Sequence, residues 1–268
     1  MPQRVKVARG SIFDTLLFLD QIATVLAGGA LWPFLESHGK FVHPYNLSGG
    51  ALLQPADEAA ILALEAEHSP VRHNGVQSYY FDSANNNHLR GTDIAGYSFG
   101  NATVDSPFSV GAWVMPFDIA AAHSILAKYR TSAVSAREWD FRINSSGILQ
   151  VEFYDESATA SEIGTGTAAL TAWRWQFVCM SYDGGETSPV AVLYINGAAD
   201  NAGATTETGS YVAMENTATP LLVGSRDLTA SPAQEWEGRL ALPFICTKAL
   251  TAAEVANLYR LSRVLMAL

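Results

Sequence analysis

Apolar residues alternate with smaller or polar ones through most of the chain, the period-2 signature of β-strands. In "VLYINGAAD" (192–200) the alternation stops at Asn196-Gly197. Both residues tolerate the positive φ angles of a type I′ turn, so a hairpin is predicted there. In "WRWQFVCMSYDGG", Trp175, Phe177 and Cys179 point one way and Val178, Met180 and Tyr182 the other. Both faces are apolar, which places this strand between two layers. Further strands are predicted at 30–36, 78–82, 88–94, 108–116, 124–130, 138–144, 148–155, 175–183, 190–196, 220–225 and 236–246, with "NSSG" (144–147) as a second hairpin turn. Many short strands separated by turn clusters indicate an all-β, antiparallel two-sheet jelly-roll sandwich. The Gly-Thr-Gly at 164–166 reads as a flexible loop.

Three segments follow the helical period instead. "DEAAILALEAEH" (57–68) reads as an excursion from the sheet. "TAAEVANLYRLS" (251–262) opens with Thr251 and Glu254 in capping-box spacing and presents Val255, Leu258 and Tyr259 for packing. Near the N-terminus, Ile12, Leu16, Leu19, Ile22, Ala23 and Leu26 share one helical face, and Gly28-Gly29 supplies a stop. Phe13, Leu17, Phe18 and Val25 lie off that face. This segment is either an ordinary buried helix or a docking arm that a second chain covers. Arg4, Lys6 and Arg9 before it resemble a secretory leader, but Asp14 and Asp20 interrupt the apolar run that a leader or a membrane span requires.

With 268 residues and 49% hydrophobic content, the chain can bury one large core. No repeat or linker divides it, so the expected organisation is an N-terminal arm and helix (1–30) followed by one β domain (31–268). A net charge of −10 argues against nucleic acid or an anionic membrane surface as partner. The two cysteines, Cys179 and Cys246, each sit in an apolar run and are expected as buried free thiols.

From about Leu31 to Ser262 the order of "YYFDSANNNHL", "FSVGAWVMP", "ILAKY", "WRWQFVCMSYDGG", "VLYINGAAD", "LLVGSRD" and "WEGRLALPFICTKALTAAEVANLYRLS" resembles the laminin-G-like, concanavalin A-like lectin/glucanase jelly roll. The chain departs from it early, reading "GKFVHPYNLSGG" where the family often has an acidic turn. The resemblance implies binding of glycans or proteins, or hydrolysis of β-glucans, and fold alone does not choose between them.

Hydrolysis needs two carboxylates flanking a glycosidic bond. Glu138 and Asp140 share a strand face without a third acid, and Glu152, Asp155 and Glu156 fall out of register. These acids are read as solvent-facing charges on half-exposed strands, and the chain as non-enzymatic. HExxH and phosphate-loop motifs are absent from the sequence. Asp82, Asn85, Asn86 and Asn87 form an oxygen-rich loop, a weak Ca²⁺ candidate with one carboxylate; no other cofactor is expected. Trp139 and Trp173, at a strand start and in a loop, are the candidate sugar-stacking aromatics. Laminin-G-like modules usually act outside cells, whereas this sequence carries no readable leader. The first expectation is therefore a virion structural protein of a phage, a capsid decoration or tail component. Its arm residues Phe13, Leu17, Phe18 and Val25 would dock to other virion proteins or to a second copy. A lectin-like module for a cell-surface glycan is the alternative, and a glycoside hydrolase comes third.

Overall fold

The computed structural model describes residues 12–26, 29–34, 54–55, 71–72, 76–85, 88–131, 136–185, 190–200, 205–227 and 234–268. The helical excursion expected at 57–68 lies outside them. Two antiparallel sheets face each other. The first, sheet I, runs β13 (Ala198–Ala199), β12 (Val192–Ile195), β11 (Gln176–Tyr182), β6 (Phe108–Pro116), β16 (Gly238–Cys246), β4 (Gln77–Phe81) and β3 (Val71–Arg72), with β1 (Ala30–Leu31) also paired to β16. Sheet II runs β14 (Thr205–Thr208), β10 (Ala160–Ala169), β9 (Ile148–Asp155), β8 (Trp139–Ile143), β7 (His123–Lys128), β15 (Leu222–Val223), β5 (Leu89–Arg90) and β2 (Gln54–Pro55). The all-β sandwich predicted from the alternation is the observed one. β10 was missed: Gly164 and Gly166 belong to this strand and not to a loop, and a side chain at Gly164 would press on Val190 at 3.0 Å. Its alternation is hidden by Gly, Ala, Ser and Thr, which carry little apolar signal.

Alternation sorts each strand between two environments. Val110, Ala112, Val114, Val178, Met180, Leu240 and Ile245 of sheet I meet Trp139, Phe141, Ile143, Leu149, Val151 and Phe153 of sheet II in the main core. The opposite face of sheet I carries a second core of Trp113, Phe177, Cys179, Ala241, Phe244 and Cys246. Two helices cover it: α1 (Ile12–Leu26) through Leu19, Ile22 and Leu26, and α2 (Ala252–Leu265) through Val255, Leu258, Leu261 and Leu265. This explains why β11 is apolar on both sides. Both cysteines are free and buried in this layer, and burial pushes both thiols up, Cys246 to about 11.

The hairpin and the helix cap match the sequence reading. Asn196 and Gly197 have φ of 52° and 79°, and Thr251 and Glu254 form a reciprocal capping box. Gly197 is needed twice, because a Cβ there would lie 3.1 Å from Tyr259 of α2.

The N-terminal helix buries one face in the sandwich and leaves part of its apolar surface in solvent. Phe18 and Val25 are half-buried against the second core, Leu16 is exposed although it was assigned to the buried face, and Leu17 is 55% exposed. The Phe13 side chain lies outside the described residues. At Gly29, between α1 and β1, a Cβ would lie 1.8 Å from the Ile245 carbonyl oxygen. The chain is thus pressed onto β16 where it leaves the helix, and α1 shares a core with the sandwich.

Candidate functional site

Beyond the helices, one end of the outer face of sheet I is left open by the described residues, and the pleat fills that end with aromatic rings. Phe177 pairs with Trp113 and Gln176 with Val114, so extending the register two residues at a time sets Trp175 beside Met115 and Trp173 beside Phe117. Trp173 N donates to Pro116 O at 2.7 Å, and the Trp173 and Phe117 rings stack at 3.9 Å and 12°. Phe117 stacks in turn on Tyr80 at 5.3 Å and 27°. Arg239, paired with Met115 and Tyr80, lies 5.9 Å from the Tyr80 ring centre.

Trp173 ends this ladder with 65% of its surface exposed and a φ of 62°. Positive φ is an outlier for a bulky side chain and costs about 1–2 kcal/mol. A large apolar ring that is strained, exposed and stacked on one side only offers its second face to a ligand. The far end of the ladder is polar. Glu237 accepts from Tyr80 OH at 2.8 Å and from Ser83 N and Oγ at 2.9 Å. Burial, then the hydrogen bond to Glu237, pushes the Tyr80 hydroxyl well above the ordinary tyrosine range.

Trp139, the other candidate from the sequence, is no platform: its side chain is fully buried between the sheets and Nε1 donates to Tyr97 O at 3.0 Å. A strand start is as compatible with the core as with the rim, and the alternation of β8 turns Trp139 inward. In the candidate Ca²⁺ loop, Asp82 Oδ1 accepts from Ala84 N at 2.8 Å. The side chains of Asn85, Asn86 and Asn87 lie outside the described residues. Among the described residues no group of three or more His, Cys, Asp or Glu is placed to hold a metal.

Of the acids read as solvent-facing, Glu138, Asp140, Glu152 and Asp155 are instead buried, and Glu156 is half-buried in an ion pair with Arg137 Nε at 2.7 Å. Asp140 and Glu152 are paired across β8 and β9, and Arg142 Nη1 sits between them at 2.9 and 2.6 Å. Ser124 Oγ donates to Asp140 at 2.6 Å, Tyr129 OH to Glu152 at 3.3 Å and Arg226 Nη2 to Glu152 at 2.8 Å. All four carboxylate oxygens are engaged, and the arginine fills the space in which a glycosidic oxygen would sit. Asp155 caps the turn after β9 by accepting from Ser157 and Ala158. Glu138 is buried at the rim beside Lys128 (3.4 Å) and accepts from Thr217 N at 2.9 Å. Burial outweighs Lys128 and raises its carboxyl to about 7. Arg142 shares β8 with Asp140 and is the one partner a single strand shows; its contact with Glu152, and those of Tyr129 and Arg226, come from across β9, from just after β7 and from the segment after β15.

A family signature described as the concanavalin A-like lectin/glucanases superfamily matches residues 89–256, more than half of the chain. The chain belongs to this superfamily. Solved structures agree on the fold. The binding domain of Paraclostridial Mosquitocidal Protein 1 superposes with a TM-score of 0.58 at 13% identity, over 87% of this chain and 51% of that one. The receptor-binding domain of botulinum neurotoxin type G gives 0.56 at 12%, over 88% and 51%. Trypanosoma rangeli sialidase in complex with sialic acid gives 0.56 at 8%, over 93% and 38%. The chain thus spans about half the length of the two binding domains. At these identities the likeness shows the fold alone. Among proteins of curated function, none matches the chain in sequence.

Phe117, Tyr80 and Arg239 were not singled out from the sequence. The signal that could have found them is the pair of alternating runs Trp173-x-Trp175-x-Phe177 and Trp113-x-Met115-x-Phe117, which become one surface once β6 and β11 are paired antiparallel.

Proposed function

We propose that the protein is a carbohydrate-binding module whose ligand stacks on Trp173. The observation that carries this reading is the ladder Trp173–Phe117–Tyr80, which ends in a tryptophan 65% exposed at positive φ. A sugar ring presents an apolar C–H face and a rim of hydroxyls; the indole matches the first. Arg239 and Glu237 lie beside the ladder and match the second. Membership of a lectin/glucanase superfamily and fold likeness to binding domains support the same reading. The carboxylate pair of sheet II is closed by arginines, which favours binding over hydrolysis.

The test is a screen of the purified protein on an array of immobilised oligosaccharides, followed by calorimetry on the best ligand. Binding should appear, and Trp173→Ala should weaken it about tenfold with little change in stability. An array without ligands, or a ligand indifferent to Trp173→Ala, overturns the reading. Attachment to a virion is a second reading, supported by the exposed Leu16 and Leu17 of α1. It requires that replacing both by Ser abolish association with virion proteins.

A further inference from the structure

One row in from the ladder, the open face deepens into a groove of about 250 Å³ lined by Trp113, Trp175, Asn196, Tyr259, Arg263 and Leu268. Trp175 follows Trp173 on the same face, Asn196 comes from the β12–β13 hairpin, and Tyr259 and Arg263 project from α2. The groove is smaller than the roughly 300–1,000 Å³ of drug-sized pockets and suits one sugar ring.

The polar atoms left over in it are donors. Asn196 Oδ1 is occupied by Phe177 N at 3.0 Å, which leaves the amide nitrogen to face a ligand. Arg263 donates Nε to Leu268 O at 3.0 Å and leaves both Nη atoms without partners among the described residues. The Tyr259 hydroxyl has none either, while its ring lies 5.7 Å from Trp113. The lining includes no Asp or Glu side chain. Arg239 lies beside the ladder on the same face, so Arg263 and Arg239 both belong to this face in a chain of net charge −10. With Nε held by Leu268 O, the guanidinium keeps one free N–H edge, between its two Nη atoms, which matches a carboxylate, and aromatic walls match the ring that carries it.

We propose that this groove is a subsite for a single carboxylate-bearing sugar, so that the glycan recognised by the protein is acidic. The inference rests on the glycan-binding reading and adds the ligand's chemical class and orientation. The acidic residue lies in the Arg263 groove, away from the Asp82 and Glu237 end of the ladder, where two carboxylates would repel it.

The test uses the full chain labelled with ¹⁵N and follows the Trp175 indole resonance, assigned with Trp175→Phe, during titration with glucuronate, glucose and acetate. Glucuronate should bind about tenfold more tightly than glucose or acetate, as expected for charge-assisted hydrogen bonds added to ring stacking. Arg263→Gln should remove that advantage, and Tyr259→Phe, which keeps the ring, should reduce it a few-fold. Raising the salt to 0.5 M should weaken glucuronate and spare glucose. Equal affinity for glucose and glucuronate overturns the proposal, as does indifference to Arg263→Gln. Acetate binding as well as glucuronate reduces the groove to an anion site and also overturns it. Trp173→Ala separates the two readings. If glucuronate still binds the groove while no oligosaccharide depends on Trp173, the ladder reading fails and the groove stands; ladder binding without a glucuronate preference gives the converse.

Discussion

Trp173 is held where its backbone is least comfortable, and this makes a test possible that separates stability from binding. Its φ is 62°, its ring is 65% exposed, and its one extensive contact is the stack on Phe117 at 3.9 Å. Trp173→Ala removes the stack, worth about 0.5–1.5 kcal/mol, and retains a left-handed residue that costs about 1–2 kcal/mol. Trp173→Gly also removes the stack but releases that strain, against a loss of about 0.5–1 kcal/mol from the greater freedom of glycine in the unfolded chain. Relative to Ala, Gly should therefore be the more stable by up to about 1 kcal/mol, the reverse of the usual order, and close to the wild type. Both variants should bind oligosaccharide equally poorly. Urea unfolding followed by tryptophan fluorescence gives the first comparison and calorimetry the second. If Ala proves at least 1 kcal/mol more stable than Gly, the backbone at 173 is not left-handed, and the argument that strain is maintained there for the sake of a ligand collapses.

Three further outcomes follow from the buried groups. Glu138 has its carboxyl raised to about 7, so the folded state binds the extra proton between about pH 4.5 and 7; stability should fall as pH rises through that window, by roughly 2–3 kcal/mol, and Glu138→Gln should flatten the slope in urea titrations. Arg142→Met leaves Asp140 and Glu152 facing each other across β8 and β9 and should cost about 3–5 kcal/mol, much of it recovered by adding Asp140→Asn. Leu19→Ala in α1, fully buried in the second core, should cost about 2–5 kcal/mol; a value near zero by calorimetry would show that α1 is a detachable arm after all.

Much of the fold was legible because it depends on local signals that are strong wherever the core is apolar. β6 and β9 run over the spans expected of them, and the Asn196-Gly197 turn and the Thr251 cap are as read. β10 escaped because a strand of Ala, Ser, Gly and Thr packs on neighbours that supply the bulk. The buried acids escaped for a related reason. Charge in a sequence is a prior for exposure, and only the pairing of β8 with β9, with Arg226 approaching from beyond β15, converts Asp140 and Glu152 into an internal network.

The same limit governed the site, and it explains why one candidate tryptophan is exposed and the other is buried. Trp139 and Trp173 differ little in local sequence, but β8 has helix-free sandwich on its inner side and Trp139 falls inward. Trp173 lies beyond the start of β11, past the reach of α2, where none of the described residues covers the outer face of sheet I. The apolar surplus of α1 was taken as evidence of a partner, yet Phe18 and Val25 are answered by sheet I and α2 within the chain. Two helices on one side of the sheet therefore do opposite things to its ends. They bury the row of Trp113 and Phe177, and by stopping there they leave Trp175 at the edge of a groove and Trp173 in solvent. The proposed binding face is thus defined by where the helices end, a property of their length and crossing that no alternation of residues along a strand encodes.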